Sequence, residues 1–416
     1  MIFARGTPSR RTGSVFAWIF VLPVLGGAAA EDPPLTSEPV FTALKVDGGT
    51  YSGRLAAIGA DRIALVSDKE ERQELPLRSL VKLTRAIRPS VEGPAGSHHV
   101  FLGDGDRVMR ATATSTTETA LEVQAHSSLG KLRIPLESLR GMILSPPTDA
   151  DALELLSDRV LTEPRAAEVV WLTNGDRMEG GFLGLDERAA KLQIEGKPVE
   201  IDRTGVVAIG FDQAVLNYPR PASDYLELGF LDGSRLGVTG AEVVKGEIKA
   251  TTRFGQPIRV AVGELARIDP RTPSVVPLTE RKPDGQSYVS YVGPTRPFRA
   301  DATVDGHHLQ LQGQSYERGL GAQSRTILAY KLNPGDLRFQ ALVGVDDRAG
   351  PLGSVVFRVL TDGKERFATP AMTAKDAPRP IDVDLDQAKL LILITEFGDR
   401  GDVRDVADWV EARLIR

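Results

Sequence analysis

The sequence predicts a mainly β protein, with several small β units in its first two thirds and a β-sandwich in its last third. Three observations support this prediction. Short segments that alternate apolar and polar residues recur along the chain, separated by turns rich in Gly, Asp and Asn. One strand–turn–strand pattern occurs four times between residues 41 and 268. With 416 residues, the chain is also too long for a single small core.

Composition is that of an ordinary globular protein and argues against some functions. Hydrophobic residues make up 41% of the chain and charged residues 26%, with a formal net charge of −5. Since no basic run is present either, we expect no nucleic-acid partner. The chain has no cysteine, which excludes disulfides and thiol catalysis. Packed sheets must therefore supply the stability.

Residues 1–30 have the pattern of an export signal. Three arginines precede an apolar stretch at 15–25, and three alanines at 28–30 supply the small residues of a cleavage site. The apolar stretch is shorter than the roughly 20 residues of a bilayer span. We expect a secreted or periplasmic protein with no membrane span after cleavage. The alternative is an uncleaved N-terminal anchor.

Four segments after the signal share the same order of strands and turns. Their tight turns are Asp47-Gly48, Asp104-Gly105, Asn174-Gly175 and Asp232-Gly233, residues that tolerate the positive φ angles of a type I′ hairpin. Each segment resembles an SH3-like or Sm-like β-barrel, and the alternative is one merged β-sandwich. The predicted β units are 31–92, 93–147, 167–214 and 220–270.

Two connecting segments separate these units from each other and from the C-terminal third. Acids followed by apolar residues at helical spacing predict a helix at 149–161, within a helical linker at 148–166. Four prolines between 270 and 283 predict a linker at 271–284. The C-terminal module then occupies residues 285–416.

The C-terminal module contains three informative segments. Residues 344–364 combine a loop of acids and glycines, a strand, and an Asp-Gly turn. Residues 319–332 begin with Gly-Leu-Gly, and 405–414 contain Asp-Val-Ala-Asp-Trp. In that order the segments resemble the NPCBM/NEW2 family, relatives of the module attached to family 98 glycoside hydrolases, over about residues 283–416. The resemblance implies a jelly-roll β-sandwich akin to galactose-binding domains, with carbohydrate as its ligand.

The same resemblance implies a set of candidate site residues. The candidates for carbohydrate binding are Gln323, Asp346, Asp347, Arg348, Asp405, Asp408 and Trp409. Gln323 and Val406 stand where the family commonly has histidines, and valine can neither donate nor accept a hydrogen bond. Trp409 is equally suitable as a sugar-stacking residue and as a core residue. The resemblance therefore predicts the fold more firmly than the ligand.

Motifs for metal binding and catalysis are sparse. The five histidines lack the spacing of a metal site, and no nucleophile elbow or phosphate-binding loop occurs. Four aspartates between 399 and 408 crowd a glycine-bearing loop, and Asp399 and Asp402 are the candidates for calcium. A solvated loop is the alternative, because Arg400 and Arg404 neutralise much of the charge. No other cofactor is expected.

The leading functional prediction is a secreted, non-catalytic carbohydrate-binding protein, with a glycan or polysaccharide as its partner. Sugar hydroxyls would bind Asp346, Asp347 and Arg348, together with Gln323. The first alternative is a structural or protein-interaction protein of the cell envelope, with envelope proteins as partners and a module that no longer binds sugar. The second alternative is a hydrolase whose catalytic residues the sequence does not reveal.

Overall fold

Strands dominate this protein, which is represented by a computed structural model that describes residues 38–86, 97–291 and 296–416. The described residues form 34 strands and one α-helix, confirming the predicted mainly β class. The predicted export signal lies outside them. No helix among these residues has the length and apolar character needed to cross a bilayer.

The first ten strands form two similar five-stranded units. The strands of the first are β1 (Val40–Lys45), β2 (Thr50–Ile58), β3 (Arg62–Val66), β4 (Arg72–Pro76) and β5 (Leu80–Thr84). Those of the second are β6 (His98–Leu102), β7 (Arg107–Thr116), β8 (Ala120–Ala125), β9 (Lys131–Pro135) and β10 (Leu139–Ile143). In both units neighbouring strands are antiparallel, and across the sheet the five strands lie in the order fourth, third, second, first, fifth, counted along the chain.

The third and fourth units repeat this arrangement with variations. The third contains β11 (Val169–Leu172), β12 (Arg177–Glu179), β13 (Gly181–Leu185), β14 (Ala189–Ile194), β15 (Lys197–Asp202) and β16 (Val206–Gly210). The fourth contains β17 (Tyr225–Phe230), β18 (Arg235–Val244), β19 (Glu247–Thr252), β20 (Pro257–Ala261) and β21 (Leu265–Arg271). In the third unit β13, β14 and β15 form a separate sheet, because the second strand is broken at Gly180.

The four units do not close into barrels, which differs from the predicted architecture. Eighteen of their strands form one continuous hydrogen-bonded sheet. The last strand of a unit pairs with the last strand of a neighbouring unit, β5 with β21 and β10 with β16. One apolar core accordingly runs through all four units. At three of the four predicted turns only the glycine has a positive φ, so those turns are not type I′; Asp104-Gly105 has it at both residues.

The predicted helix is present as α1 (Ala150–Thr162). The Asp149 carboxylate caps it by accepting from the Ala152 N–H at 2.8 Å. Val160 is fully buried and lies over Gly141 of β10, where a Cβ would be 2.3 Å from its Cγ1. Only glycine permits this approach of the helix to the sheet. The opposite, acidic side of α1 is left to face the C-terminal third.

The last third is the predicted β-sandwich, which the structure confirms. Its strands are β22 (Val275–Pro277), β23 (Gly285–Tyr288), β24 (Arg299–Ala300), β25 (Leu309–Leu311), β26 (Gln314–Tyr316), β27 (Gly319–Gln323), β28 (Thr326–Lys331), β29 (Arg338–Val345), β30 (Val355–Thr361), β31 (Lys364–Ala368), β32 (Arg379–Asp384), β33 (Leu390–Phe397) and β34 (Val406–Ile415). One sheet has the order β24-β27-β34-β29-β32, with β22 added beside β34; the other has the order β23-β28-β33-β30-β31. Apolar side chains of both sheets form one core.

Charged side chains join the sandwich to the large sheet. The Arg318 guanidinium donates to both carboxylate oxygens of Glu227 in β17, at 3.0 and 2.9 Å. The Glu227 side chain is 2% exposed, so this ion pair is buried. Arg107 of β7 donates to Glu317 at 2.9 Å, and Lys82 of β5 pairs with Glu411 at 3.1 Å. The sandwich is thus held to the β units by ion pairs from three of them.

Candidate functional site

Asp346 and Asp347, predicted to contact sugar, bind backbone groups of the protein. They follow β29, and each carboxylate accepts two backbone N–H groups. Asp346 accepts from Gln310 and Arg348, both at 2.8 Å, and Asp347 accepts from Gln312 and Gly313, at 2.9 and 2.7 Å. These bonds attach the β25–β26 hairpin to the loop. Asp346 is fully buried, whereas Asp347 keeps part of its surface.

Asp408 lies beside Asp346 in the interior. Its side chain is fully buried, and neither of its oxygens has a donor in hydrogen-bonding geometry among the described residues. Burial, reinforced by the negative charge of Asp346, raises the pKa of Asp408 well above its ordinary value. A proton held by Asp408 and directed at Asp346 would leave the pair with one negative charge instead of two. Asp408 therefore has no surface available to a ligand in this structure.

We expect Asp408→Asn to be at least as stable as the parent protein at pH 8, because the amide stays neutral. An acid whose pKa is raised on folding binds a proton more tightly in the folded state, so its contribution to stability declines as pH rises. The stability difference between variant and parent should therefore grow from pH 5 to pH 8, measured by chemical denaturation. A variant that is less stable than the parent at pH 8 would refute the shared proton.

Arg348 is covered by the acidic side of α1. Its guanidinium donates to Asp151 at 2.8 Å and to Glu154 at 3.1 Å. The same Glu154 oxygen lies 3.0 Å from His307 Nδ1 and accepts the His308 N–H at 3.1 Å. A carboxylate with several partners is held more firmly than an isolated surface pair. A sugar that binds the Arg348 Nη2 group would have to displace these helix carboxylates.

Glu154→Gln is expected to lower the free energy of unfolding by about 1–2 kcal/mol, because Glu154 is the shared acceptor and is mostly buried. Asp151→Asn is the matched control: Asp151 also binds Arg348, but its side chain is 59% exposed, so about 0.5 kcal/mol or less is expected. Chemical denaturation measures both values. Equal losses in the two variants would show that Glu154 contributes no more than Asp151 to the contact between the helix and Arg348.

The remaining predicted contacts are placed in or near the core. Trp409 is 1% exposed, and its indole N–H donates to Thr395 Oγ1 at 2.9 Å. Asp405 is 2% exposed; its carboxylate accepts the Ser354 N–H at 2.8 Å and the Ser324 hydroxyl. Gln323 is half-buried beside a hollow of only about 10 Å³. It pairs across the strands with Val406, so the two residues at the family's histidine positions are neighbours.

The two calcium candidates differ in their surroundings. Asp402 Oδ2 accepts the Tyr291 N–H at 2.8 Å and lies 3.2 Å from the Ser290 hydroxyl, whereas the Asp399 side chain is exposed. Among the described residues, one group of three side chains is compact enough to hold a metal ion: Asp151, Glu154 and His307. Arg348 already pairs with both carboxylates of that group. Calcium at the predicted aspartates stays a prediction.

An open pocket lies where three loops of the sandwich meet. Its volume is about 280 Å³, and it is lined by Pro351, Ser354, Thr373, Lys375, Asp399 and Arg400. The loops follow β29, β31 and β33. Sequence analysis singled out Asp399 but missed Thr373 and Lys375, because nothing in a single sequence indicates that residues from separate loops converge. Thr373 and Lys375 both lie in the loop between β31, which ends at Ala368, and β32, which begins at Arg379.

The sandwich and its loops together form one β-sandwich module with an open, polar pocket at one end. Residues 284–415 match the family model described as "NPCBM/NEW2 domain", and this third of the chain is a domain of that family. A curated relative of Renibacterium salmoninarum, named "Putative endo-alpha-N-acetylgalactosaminidase", is 32% identical over 114 residues. The match covers 27% of this chain and only 8% of the relative.

Solved structures with some likeness include carbohydrate-binding modules. A CBM51 module from Clostridium perfringens GH95, solved in complex with methyl-galactose, is 26% identical to the matched part of this chain, with a TM-score of 0.31. The match covers 34% of this chain and 99% of the module. Tandem CBM51 modules of the family 98 glycoside hydrolase from Streptococcus pneumoniae are 10% identical. That match covers 90% of this chain and 88% of the modules, again with a TM-score of 0.31.

Proposed function

We propose that this chain is an exported, non-catalytic carbohydrate-binding protein whose NPCBM/NEW2 domain binds a glycan. The observation that carries the proposal is the family match over residues 284–415. The open pocket supports it, since a small concave site with a few polar groups is what a sugar ring requires. The export pattern of residues 1–30 supports a location outside the cytoplasm.

The acids of the sandwich support binding without catalysis. Glycoside hydrolysis generally uses two carboxyl groups about 5–10 Å apart on either side of the scissile bond. Asp399 is the one acid among the residues lining the pocket. The next acid in its loop, Asp402, is bound to the Tyr291 N–H. Asp346 and Asp408 are adjacent, but both are fully buried.

The test is a panel of immobilised mono- and oligosaccharides probed with the full chain at high protein concentration. We expect saturable binding to a subset of the panel, and the heat-denatured protein serves as the control. Absence of binding to every glycan in the panel would contradict the proposal. Repeating the measurement with a chelator asks in addition whether calcium at Asp399 and Asp402 contributes.

A second candidate is a structural or protein-interaction role in the cell envelope. The contact between α1 and Arg348 favours it, because the N-terminal part of the chain already covers one predicted sugar contact. A pull-down from an envelope fraction distinguishes the two roles. Recovery of the same proteins after glycosidase treatment of the fraction would favour protein recognition, whereas loss of recovery after that treatment would favour glycan binding.

A further inference from the structure

We infer that the glycan of the proposed function binds in the loop-end pocket, through Lys375, Asp399 and Arg400, with Tyr291 as an aromatic platform beside it. This inference rests on the proposed function and adds the site to it. These residues do not include Asp346 and Asp347 in the loop after β29, because the carboxylates of those two acids accept backbone N–H groups of the protein itself. The ligand class is a neutral or amino sugar ring with neighbouring hydroxyl groups.

The floor of the pocket is rigid before any ligand arrives. The Ser354 N–H donates to the buried carboxylate of Asp405 at 2.8 Å. A Cβ on Gly398 would lie 2.3 Å from Ser354 Oγ, so the loop after β33 can approach only through a glycine. Val355 and Met372 exchange backbone hydrogen bonds at 3.0 and 2.8 Å, fixing the third loop. A preformed site loses little entropy on binding.

The polar groups at the mouth of the pocket are uncommitted. Lys375 and Asp399 are exposed, and within the described ranges neither side chain forms an ion pair or hydrogen bond. Arg400 uses one N–H on the Pro351 carbonyl at 2.9 Å, which leaves its other donors available. Of the other charged groups nearby, Asp346 accepts two backbone N–H groups and the Arg348 Nη2 group is paired with Asp151 and Glu154. The pocket is therefore where this end of the sandwich offers free donors and a free acceptor.

These groups match the chemistry of a sugar. Each sugar hydroxyl can donate one hydrogen bond and accept another, so adjacent hydroxyls are bound together by a carboxylate acceptor and cationic donors. Asp399 supplies the acceptor, and Lys375 and Arg400 supply the donors. The volume of about 280 Å³ lies at the small end of ligand sites, which commonly measure about 300–1,000 Å³. One ring fits better than an extended chain.

Tyr291 adds an apolar surface next to these groups. It is 71% exposed, the most exposed large hydrophobic side chain of the described residues. Its ring packs edge-to-face on Phe397 with centroids 5.7 Å apart, and it lies 3.2 Å from the position a Cβ on Gly401 would occupy. Gly401 follows Arg400 directly. A fixed, exposed aromatic ring beside polar groups can cover the C–H face of a sugar.

The test compares pocket variants with matched controls in the full-length protein. The probe is the tightest-binding glycan of a panel of immobilised neutral, amino and acidic mono- and oligosaccharides, titrated at equilibrium. We expect Lys375→Met and Asp399→Asn to weaken binding at least tenfold, and Tyr291→Ala to weaken it three- to tenfold. Lys389→Met and Asp68→Asn make the same exchanges at exposed residues elsewhere and should change affinity less than twofold.

Two outcomes separate this inference from the proposed function. If the parent protein binds no glycan in the panel, the proposed function fails and the inference fails with it. If the parent binds but the pocket variants stay within twofold of the controls, the proposed function stands and the pocket is not its site. Thermal unfolding is measured for every variant to show that a loss of binding does not result from a loss of folding. We expect unchanged unfolding temperatures, because all the substituted side chains are solvent-exposed.

Discussion

Glu227→Gln is expected to lower the free energy of unfolding by about 3–5 kcal/mol, one of the two largest effects we predict. Removing this charge leaves Arg318 and Arg271, each 13% exposed, with Glu280 as the one carboxylate that they still share. The cost arises from two largely buried cations that then face a single negative charge, and not from the lost pair alone. Glu118→Gln is the control: Glu118 is exposed and forms no ion pair with another described residue, so the substitution should cost under about 0.5 kcal/mol.

The effect of Glu227 should depend on pH in a defined direction. Burial alone would raise the pKa of Glu227, but the surrounding guanidiniums, led by Arg318, lower it to about 2. A carboxyl with a depressed folded-state pKa contributes stability above its unfolded pKa of about 4.5 and loses that contribution as pH falls towards 2. Urea denaturation of parent and variant should therefore converge as pH falls below about 4.5. A gap that widens on acidification would contradict the assignment.

Trp409→Ala is expected to lower the free energy of unfolding by about 3–5 kcal/mol. The indole ring packs edge-to-face on Phe357 with centroids 5.2 Å apart and also contacts Phe339. Its truncation leaves a cavity between the two sheets and removes the hydrogen bond to Thr395. Trp409→Phe keeps a ring and should cost less. Both values come from urea denaturation.

The same substitution resolves the two roles that the sequence allowed for Trp409. If Trp409 is a core residue, the alanine variant unfolds more easily but still binds glycan under conditions where it is folded. If it stacks on sugar, binding is lost while stability is nearly unchanged. The 1% exposure of Trp409 predicts the first outcome.

Local patterns in the sequence predicted local structure well. The alternating segments, the turns with glycine and the helical spacing at 149–161 each involve residues close in sequence, and the structure has strands, turns and α1 there. The sequence did not predict how the units join, because β5 of the first unit pairs with β21 of the fourth, with two other units between them in sequence. No sequence pattern distinguishes an edge that closes a barrel from one that pairs with a neighbour.

The candidate site was predictable in location but not in detail. The acids and glycines of 346–353 do form a loop at the end of the sandwich, as expected, whereas Gly344 lies within β29. Whether Asp346 faces solvent or a backbone N–H depends on the β25–β26 hairpin, which the single sequence does not position. Arg348 meets Asp151, a residue 197 positions earlier, and that contact requires the folded arrangement of helix and sandwich. The residues left free for a ligand are therefore known only from the structure.

One measurement tests the central claim, that the chain binds a glycan without altering it. The full-length protein is titrated calorimetrically with the soluble form of its tightest-binding glycan, and the glycan is then recovered for mass spectrometry. The account predicts saturation at one glycan per chain and recovery of the glycan at its original mass. A titration that shows no heat of binding at saturating concentrations, or recovery of a shortened glycan, would contradict the account.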